Sequence, residues 1–218
     1  MGLTLLLVGI GVGVALGVSF IMRPAQAQPL KSLRELKRLS VGSVLEGRVC
    51  KIEGKVRLDK DTLVAPVSGR PCVYYVVRIE TPGPSGADGW ANLLRETEGC
   101  DFVIDDGTGR VRVEVEGADV TLVKDVASYD PSTLEDGPGK EFMVKHRRFF
   151  DEVRVRVLEG VIEEGEAVAI RGFAATEADP SGHPTDYRAP AKRVVIRDMP
   201  GVPLYISDVP SALDKKLK

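Results

Sequence analysis

The chain has 218 residues, of which 43% are hydrophobic and 28% charged, a composition typical of a globular domain rather than a disordered chain. Its formal net charge of -2 disfavours non-specific nucleic-acid binding, which relies on a strongly positive field. Cys50, Cys72 and Cys100 are too few and too widely spaced for a disulfide framework, and with only two histidines they cannot form a zinc cross-brace. We therefore expect no metal site and no cofactor.

Residues 1–23 predict a transmembrane anchor. An uncharged apolar run extends from residue 3 to residue 22, long enough to cross a bilayer as one helix. A cleaved secretory signal is the alternative, because Ala25-Gln26-Ala27 has the small residues of a cleavage site. No Lys or Arg precedes the run, however, and it is longer than the apolar part of a usual signal, so an uncleaved anchor is favoured.

Basic residues follow this run and none precede it, which places the N-terminus outside and the rest of the chain in the cytoplasm. A periplasmic or external body is the alternative. Residues 24–40 predict a basic linker with a short helix, started by the capping sequence Ser32-Leu33-Arg34-Glu35. The helix either lies on anionic lipid headgroups or packs on its own domain. The basic residues expected at the membrane surface are Arg23, Lys31, Arg34, Lys37 and Arg38.

Three glycines in the anchor recur at every fourth residue. Gly9, Gly13 and Gly17 would lie on one helix face, and such a smooth stripe lets a second helix approach closely. Self-association through the anchor is one interpretation. The other is that glycine is simply tolerated in a membrane helix.

Residues 41–209 predict one mainly-β domain. Apolar and polar residues alternate over 73–80, 110–116 and 153–157, as in half-buried strands. The polar face of 110–116 carries Arg and Glu residues, which we expect to pair with one another. The segment 105–109 supplies the Asp and Gly residues of a hairpin turn. These short strands predict an OB-like antiparallel barrel with long loop insertions. A short basic tail follows over 210–218.

Three polar segments are expected to be long loops and candidate contact surfaces. They are 81–99, 129–146 and 177–190. For residues 90–98 there are two predictions, a turn of helix or part of a long irregular insertion.

Four stretches of the sequence carry a family resemblance. They are Ser68-Gly69-Arg70-Pro71-Cys72-Val73-Tyr74-Tyr75; Phe102-Val103-Ile104-Asp105-Asp106-Gly107-Thr108-Gly109; Glu159 with Glu164-Gly165-Glu166 and Gly172; and Leu204-Tyr205-Ile206-Ser207-Asp208. Together they resemble the GIDE ("beside a membrane") domain, which occurs in mitochondrial ubiquitin ligase activators of NF-κB and in bacterial proteins. The resemblance implies an anchored regulatory or interaction domain without catalytic residues of its own.

In the animal members of that family, a second membrane helix and a RING domain accompany the GIDE domain. The sequence after Asp208 contains neither feature. Ubiquitin-ligase activity is therefore not carried over, and a ligase label would rest on homology alone.

An enzyme, or a ubiquitin-ligase-like component acting at the membrane, is the alternative function. A Cys-His or Ser-His-Asp site requires a base beside its nucleophile, and His146 and His183 lie in or beside polar segments without a nucleophile-elbow sequence. Cys72 is the candidate nucleophile, although a small buried core thiol is the favoured interpretation.

The favoured function is a single-pass membrane protein whose barrel binds a protein partner, or an anionic lipid, at the membrane surface without catalysis. Arg70, Cys72 and Trp90 are the residues nominated for this binding surface. An OB-type nucleic-acid binder is a third, disfavoured interpretation, because the net charge is slightly negative.

Overall fold

The computed structural model describes residues 29–83, 89–128, 134, 136–149, 154–179 and 191–213. The predicted anchor, with Gly9, Gly13, Gly17 and Arg23, lies outside these ranges. No helix in the described ranges has the length and hydrophobicity that a bilayer crossing requires.

The described residues form two α-helices and a series of mostly short strands. Helix α1 is Pro29–Glu35 and helix α2 is Pro138–His146. The strands are β1 (Arg38–Leu39), β2 (Val49–Leu58), β3 (Leu63–Val64), β4 (Pro71–Cys72), β5 (Tyr74–Pro82), β6 (Trp90–Gly99), β7 (Phe102–Asp105), β8 (Arg110–Val113), β9 (Asp119–Thr121), β10 (Val126–Ser128), β11 (Arg156–Ile162), β12 (Ala167–Ala178), β13 (Lys192–Arg197) and β14 (Tyr205–Ser207).

Five strands close into a barrel in the order β2-β7-β8-β13-β12, and the circle is completed by pairing of β12 with β2. The predicted mainly-β domain built on a barrel is therefore confirmed. The expectation of a wholly antiparallel barrel is wrong, because β8 and β13 run parallel, with Val195 opposite Arg112. Parallel neighbours need a crossover connection, and here it includes β12 and much of a second sheet.

The barrel interior is filled by every second residue of its strands, as a pleated sheet requires. In β8 the alternation predicted from the sequence is confirmed, since Val111 and Val113 are buried, and the neighbouring β7 buries Phe102 and Ile104. Further members of this core are Ile52, Val56, Val168, Ile170, Ala174, Ile196, Leu204 and Ile206.

The chain leaves the barrel twice, between β2 and β7 and between β8 and β12, and these excursions build a second sheet in the order β10-β11-β5-β6. Helix α2 contributes Phe142 and Met143 to the core of this sheet, where they join Tyr75, Val77 and Ile79 of β5. The second sheet thus has its own hydrophobic core beside the barrel.

Two predicted loops are corrected by this second sheet. Residues 90–99 are neither helix nor irregular loop, because they form strand β6, which pairs with β5 from Tyr74↔Gly99 to Pro82↔Trp90. Within the segment 129–146, residues 138–146 form α2, whose Pro138 lies in the first turn where proline is tolerated. Of the segment 177–190, residues 177 and 178 complete β12, and residues 180–190 lie outside the described residues.

Helix α1 packs on the outside of the barrel. Leu33 is completely buried against Ala169, Tyr205 and Ala212, and Arg34 Nε donates to the carbonyl of Ser211 at 3.3 Å. The helix therefore buries its apolar face in its own domain, which was one of the two alternatives.

A buried ion pair lies on the same outer face of the barrel. Lys51 Nζ is 2.7 Å from Glu53 Oε1 and donates to the carbonyl of Ala212 at 2.9 Å. The C-terminal segment thus contacts β2 through Lys51 and α1 through Arg34.

Candidate functional site

Three of the four stretches that carry the family resemblance meet where the barrel joins the second sheet. They are the stretches around Arg70, Glu159 and Asp208, and hydrogen bonds and ion pairs fasten them to residues 122–126 and 161–166. The fourth stretch lies elsewhere, where Asp106 and Thr108 accept from the backbone amides of Val41 and Gly42. We call the meeting point of the three stretches the junction.

Glu159 is the buried centre of the junction. Its carboxylate is 1% exposed and accepts from the backbone amides of Val67 at 2.8 Å and Ser68 at 3.0 Å. Because a buried carboxylate is costly without donors, these two amides both stabilise its charge and hold the 65–70 turn against β11.

Arg70 ties the same turn to two other segments. Its guanidinium lies 3.3 Å from Asp125 Oδ2 and 3.3 Å from Glu163 Oε1. Asp125 in turn accepts from the amide of Val161 at 2.9 Å. Arg70 is therefore committed to internal ion pairs, which fits a fastening role.

Two carboxyl groups at the junction have raised pKa values, so they remain protonated at a higher pH than an ordinary carboxyl group does. Burial raises the pKa of Glu166 to about 7, with smaller contributions from the charges of Asp208, Asp125 and Glu163. Burial likewise raises the pKa of Asp208 to about 6, although its carboxylate accepts from the Val123 amide at 2.8 Å. The junction thus gathers more carboxylates than Arg70 can neutralise.

Cys72 is a core thiol. It is 1% exposed, and burial, followed by the charge of Glu159, raises its pKa to about 11. Since the thiolate is the nucleophilic form, a protonated and enclosed thiol is unreactive at neutral pH. The geometry therefore offers Cys72 no catalytic role.

Trp90 lies at the other end of the β5–β6 ribbon from Arg70 and Cys72. Gly99 pairs with Tyr74 beside Cys72, whereas Trp90 pairs with Pro82, and at about 3.3 Å per residue these eight steps of β5 span roughly 26 Å. The Arg156 guanidinium stacks over the Trp90 ring, 4.0 Å from its centroid, and donates to Glu80. The structure thus keeps Arg70 and Cys72 together and separates Trp90 from them.

The predicted membrane-surface cations have mixed placements. Lys31 lies 3.7 Å from Glu35, Arg34 contacts Ser211, and Arg38 lies 3.9 Å from Asp106. Lys37 is exposed, and Arg23 lies outside the described residues.

A second charged cluster on the barrel surface is centred on Arg112. The side chain of Arg112 is 17% exposed and forms ion pairs with Asp59, Asp101, Glu114 and Glu177. An open groove of about 580 Å³ lies beside this cluster, lined by Asp101, Glu114, Glu116, Gly117, Arg197 and Asp198. Among the described residues no group of His, Cys, Asp or Glu side chains is arranged to hold a metal ion.

Sequence reasoning identified part of the Arg112 cluster and missed the rest. The Arg–Glu pairing expected along residues 110–116 is present, since Arg112 lies 3.1 Å from Glu114. The contacts to Asp59 and Glu177 join residues far apart in the chain, and no local pattern predicts them.

The outer edge of the second sheet is the longest open edge in the described part of the chain. The edge strands β1, β9 and β10 have two or three residues, whereas the edge strand β6 has ten. Asn92, Leu93, Arg95, Thr97 and Glu98 of β6 are exposed. An edge strand presents backbone amides and carbonyls to which another strand can bind.

Comparisons with protein-family models, curated proteins and solved structures find no match for this chain. The arrangement itself combines an internally paired junction, an unreactive Cys72 and a long open edge on β6.

Proposed function

We propose that this chain is a membrane-anchored interaction module of the GIDE type, which binds a protein partner through the β5–β6 ribbon beside the membrane. The observation that carries the proposal is the ten-residue open edge of β6, held on a body whose junction is locked by Glu159 and Arg70. A rigid surface binds with a smaller loss of conformational entropy than a flexible loop.

The barrel topology supports an OB-like assignment. The closed order β2-β7-β8-β13-β12 has one parallel pair, between β8 and β13. Five-stranded barrels of this type bind their ligands through one face and neighbouring loops. Here the additional second sheet supplies the candidate binding surface instead.

The anchored location is proposed from the sequence. The apolar run over residues 3–22 has the length of a membrane helix, and basic residues follow it. In this proposal the module faces the cytoplasm and is attached to the bilayer through the segment before α1.

The ribbon proposal is tested with a photo-crosslinking amino acid placed at single positions of the full chain in its native cell. Leu93 and Thr97 on β6 are the test positions, and Leu45, which is 62% exposed on another surface, is the matched control. We expect protein adducts from both β6 positions and none of the same size from Leu45. Lipid adducts alone, or equal adducts from Leu45, would contradict the proposal.

A Cys72→Ala variant separates the binding module from the enzyme alternative. Because Cys72 is a buried thiol with a pKa of about 11, its removal should leave the β6 adducts unchanged. Loss of the adducts in a variant that still melts cooperatively would favour a chemical role for this thiol.

A further inference from the structure

The regular part of the β6 edge runs over residues 94–98. The pairing of β5 with β6 is interrupted between Ile79 and Glu80, which leaves Leu93 as an extra residue on the β6 side. After this bulge, successive residues of β6 pair with β5 without interruption up to Gly99. Bulges twist an edge and end its pairing, so the strand-binding part of this edge begins at Leu94.

The end of this edge is fixed firmly to the barrel. Gly99 lies so close to Tyr74 that a Cβ atom at this position would be 2.3 Å from the tyrosine ring. Tyr74 itself is part of the barrel core. The edge is therefore held in one position before any partner binds.

Two carboxylates lie on the face of β6 that is turned towards α2. Glu96 and Glu98 are cross-strand neighbours of Val77 and Tyr75, which belong to the core beneath α2. The Tyr75 hydroxyl donates to Glu98 at 2.8 Å and to Glu96 at 3.2 Å. His146 Nε2 lies 3.4 Å from Glu96.

Neither contact brings a positive charge to the two carboxylates. Burial and the two carboxylates raise the pKa of Tyr75, so its hydroxyl remains neutral. Burial, with the nearby charges of Lys145 and Arg148, lowers the pKa of His146 despite the field of Glu96, so the imidazole is neutral at pH 7. A strand that binds beside Glu96 and Glu98 would therefore place its side chains next to two carboxylates.

The opposite face of the edge carries Arg95. It pairs across the sheet with Arg78, so two like charges are neighbours on this face, although Arg78 also lies 3.6 Å from Glu80. Like charges directly opposite one another are destabilising, whereas an acidic neighbour would be favourable. The same charges exclude unsuitable strands, because charged edges are a common protection against unselective pairing.

We propose that residues 94–98 bind an extended peptide segment as an added antiparallel strand, with the pattern basic, any residue, basic, acidic, apolar. Read from its N-terminus, the segment places basic residues opposite Glu98 and Glu96, an acidic residue opposite Arg95 and an apolar residue opposite Leu94. Backbone hydrogen bonds supply affinity and the alternating side chains supply selectivity. This inference rests on the proposed function and specifies the chemistry of the partner.

The test uses the purified full chain in detergent micelles and the peptide acetyl-Thr-Lys-Thr-Lys-Glu-Val-Thr-amide. Binding is measured by NMR shifts of the β6 amides. The charge-reversed peptide, with Glu for Lys and Lys for Glu, should bind at least about tenfold more weakly, because two or three favourable cross-strand pairs become unfavourable. A peptide N-methylated at every residue should not bind, since its backbone nitrogens cannot donate to the edge and complete the ladder.

Protein variants supply the reciprocal test. In Glu96→Lys/Glu98→Lys the preference between the two peptides should be reduced or inverted. The matched control Glu35→Lys/Glu46→Lys makes the same change in net charge at exposed positions on α1 and in the turn before β2, and it should keep the wild-type preference. Equal binding of the N-methylated peptide, or the same preference in both variants, would overturn strand addition.

The two proposals can fail separately. Protein adducts from Leu93 and Thr97 without peptide binding would overturn strand addition and keep the interaction module. Absence of both the adducts and the peptide binding would overturn the two proposals together.

Discussion

Glu166 shows how the junction couples charge to folding. Its pKa of about 7 in the folded protein is well above the ordinary value of 4.5, mainly because the side chain is buried. Its carboxylate nevertheless accepts from the Glu163 amide at 3.0 Å, an interaction that lowers the pKa. Burial outweighs that hydrogen bond, so ionisation of Glu166 works against the folded state.

We expect Glu166→Gln to make the protein more resistant to unfolding at pH 8 but not at pH 5. A raised carboxyl pKa contributes stability that is present below about pH 4.5 and is lost as the pH rises through about 7. Glutamine cannot ionise, so the variant escapes this loss while keeping an oxygen that accepts from the Glu163 amide. Melting temperatures at pH 5 and pH 8 measure the effect, expected to be a few degrees at pH 8.

The Asp208 carboxyl, with its pKa of about 6, destabilises both proteins as the pH rises, so only its interaction with the Glu166 charge distinguishes them. If the melting temperatures of wild type and Glu166→Gln differed by the same amount at every pH, the raised pKa of Glu166 would be contradicted.

At the residue scale, the sequence allowed us to predict that a residue is buried better than it allowed us to predict which residues it contacts. Cys72 was expected to be a core thiol, and the structure buries it. The partners of Arg70 are Asp125 and Glu163, which lie far along the chain and become neighbours only when the two sheets assemble. Trp90 was grouped with Arg70 because both are near β5 in sequence. In the structure they lie at opposite ends of β5, because a strand is extended and its two ends are far apart.

Helix α1 is expected to contribute to the stability of the barrel rather than to bind lipid through its leucines. Replacing the fully buried Leu33 by Ala should lower the free energy of unfolding by about 2–4 kcal/mol, because it leaves a cavity between α1 and the barrel. Urea unfolding of the full chain in detergent measures this loss.

Lys37→Ala is the control for α1, because Lys37 is exposed and its loss should change the free energy by no more than about 0.5 kcal/mol. An unchanged urea midpoint for Leu33→Ala would show that α1 is not packed on the barrel in solution.

Elements with a strong apolar alternation were predictable, and those without it were not. Residues 110–116 alternate between core and surface, and residues 110–113 of this segment form the expected strand, β8. β6 contains only two large aliphatic residues, Leu93 and Leu94, because an edge strand faces solvent over much of its surface. In α2 the Pro and Gly at its start indicated a loop, although Phe142 and Met143 anchor a helix there.

For the whole molecule, we expect a cytoplasmic location of the domain. A compartment-sensitive reporter fused after Lys218 should be active in the cytoplasm, because basic residues lie only after the apolar run. Mass spectrometry of the same fusion should find residues 1–28 still attached. An external reporter, or cleavage after Ala27, would replace the anchored arrangement by a secreted one.

The barrel as a whole was predictable, but the order of its strands was not. Short strands separated by turn residues indicate a barrel without specifying which strands become neighbours. The parallel pairing of β8 with β13 depends on where the chain returns after building the second sheet. Local sequence patterns contain no information about that return.

The pairing of β2 with β12 also determines when the domain folds during synthesis. Ile52 is made early, yet its neighbour Ile170 is made only after both excursions of the chain are complete. Until then β2 has one side without its final partner, and such exposed strands favour aggregation. Fragments that end before β12 should therefore need chaperones or be degraded, and the domain should be acquired as one late, cooperative event on the ribosome.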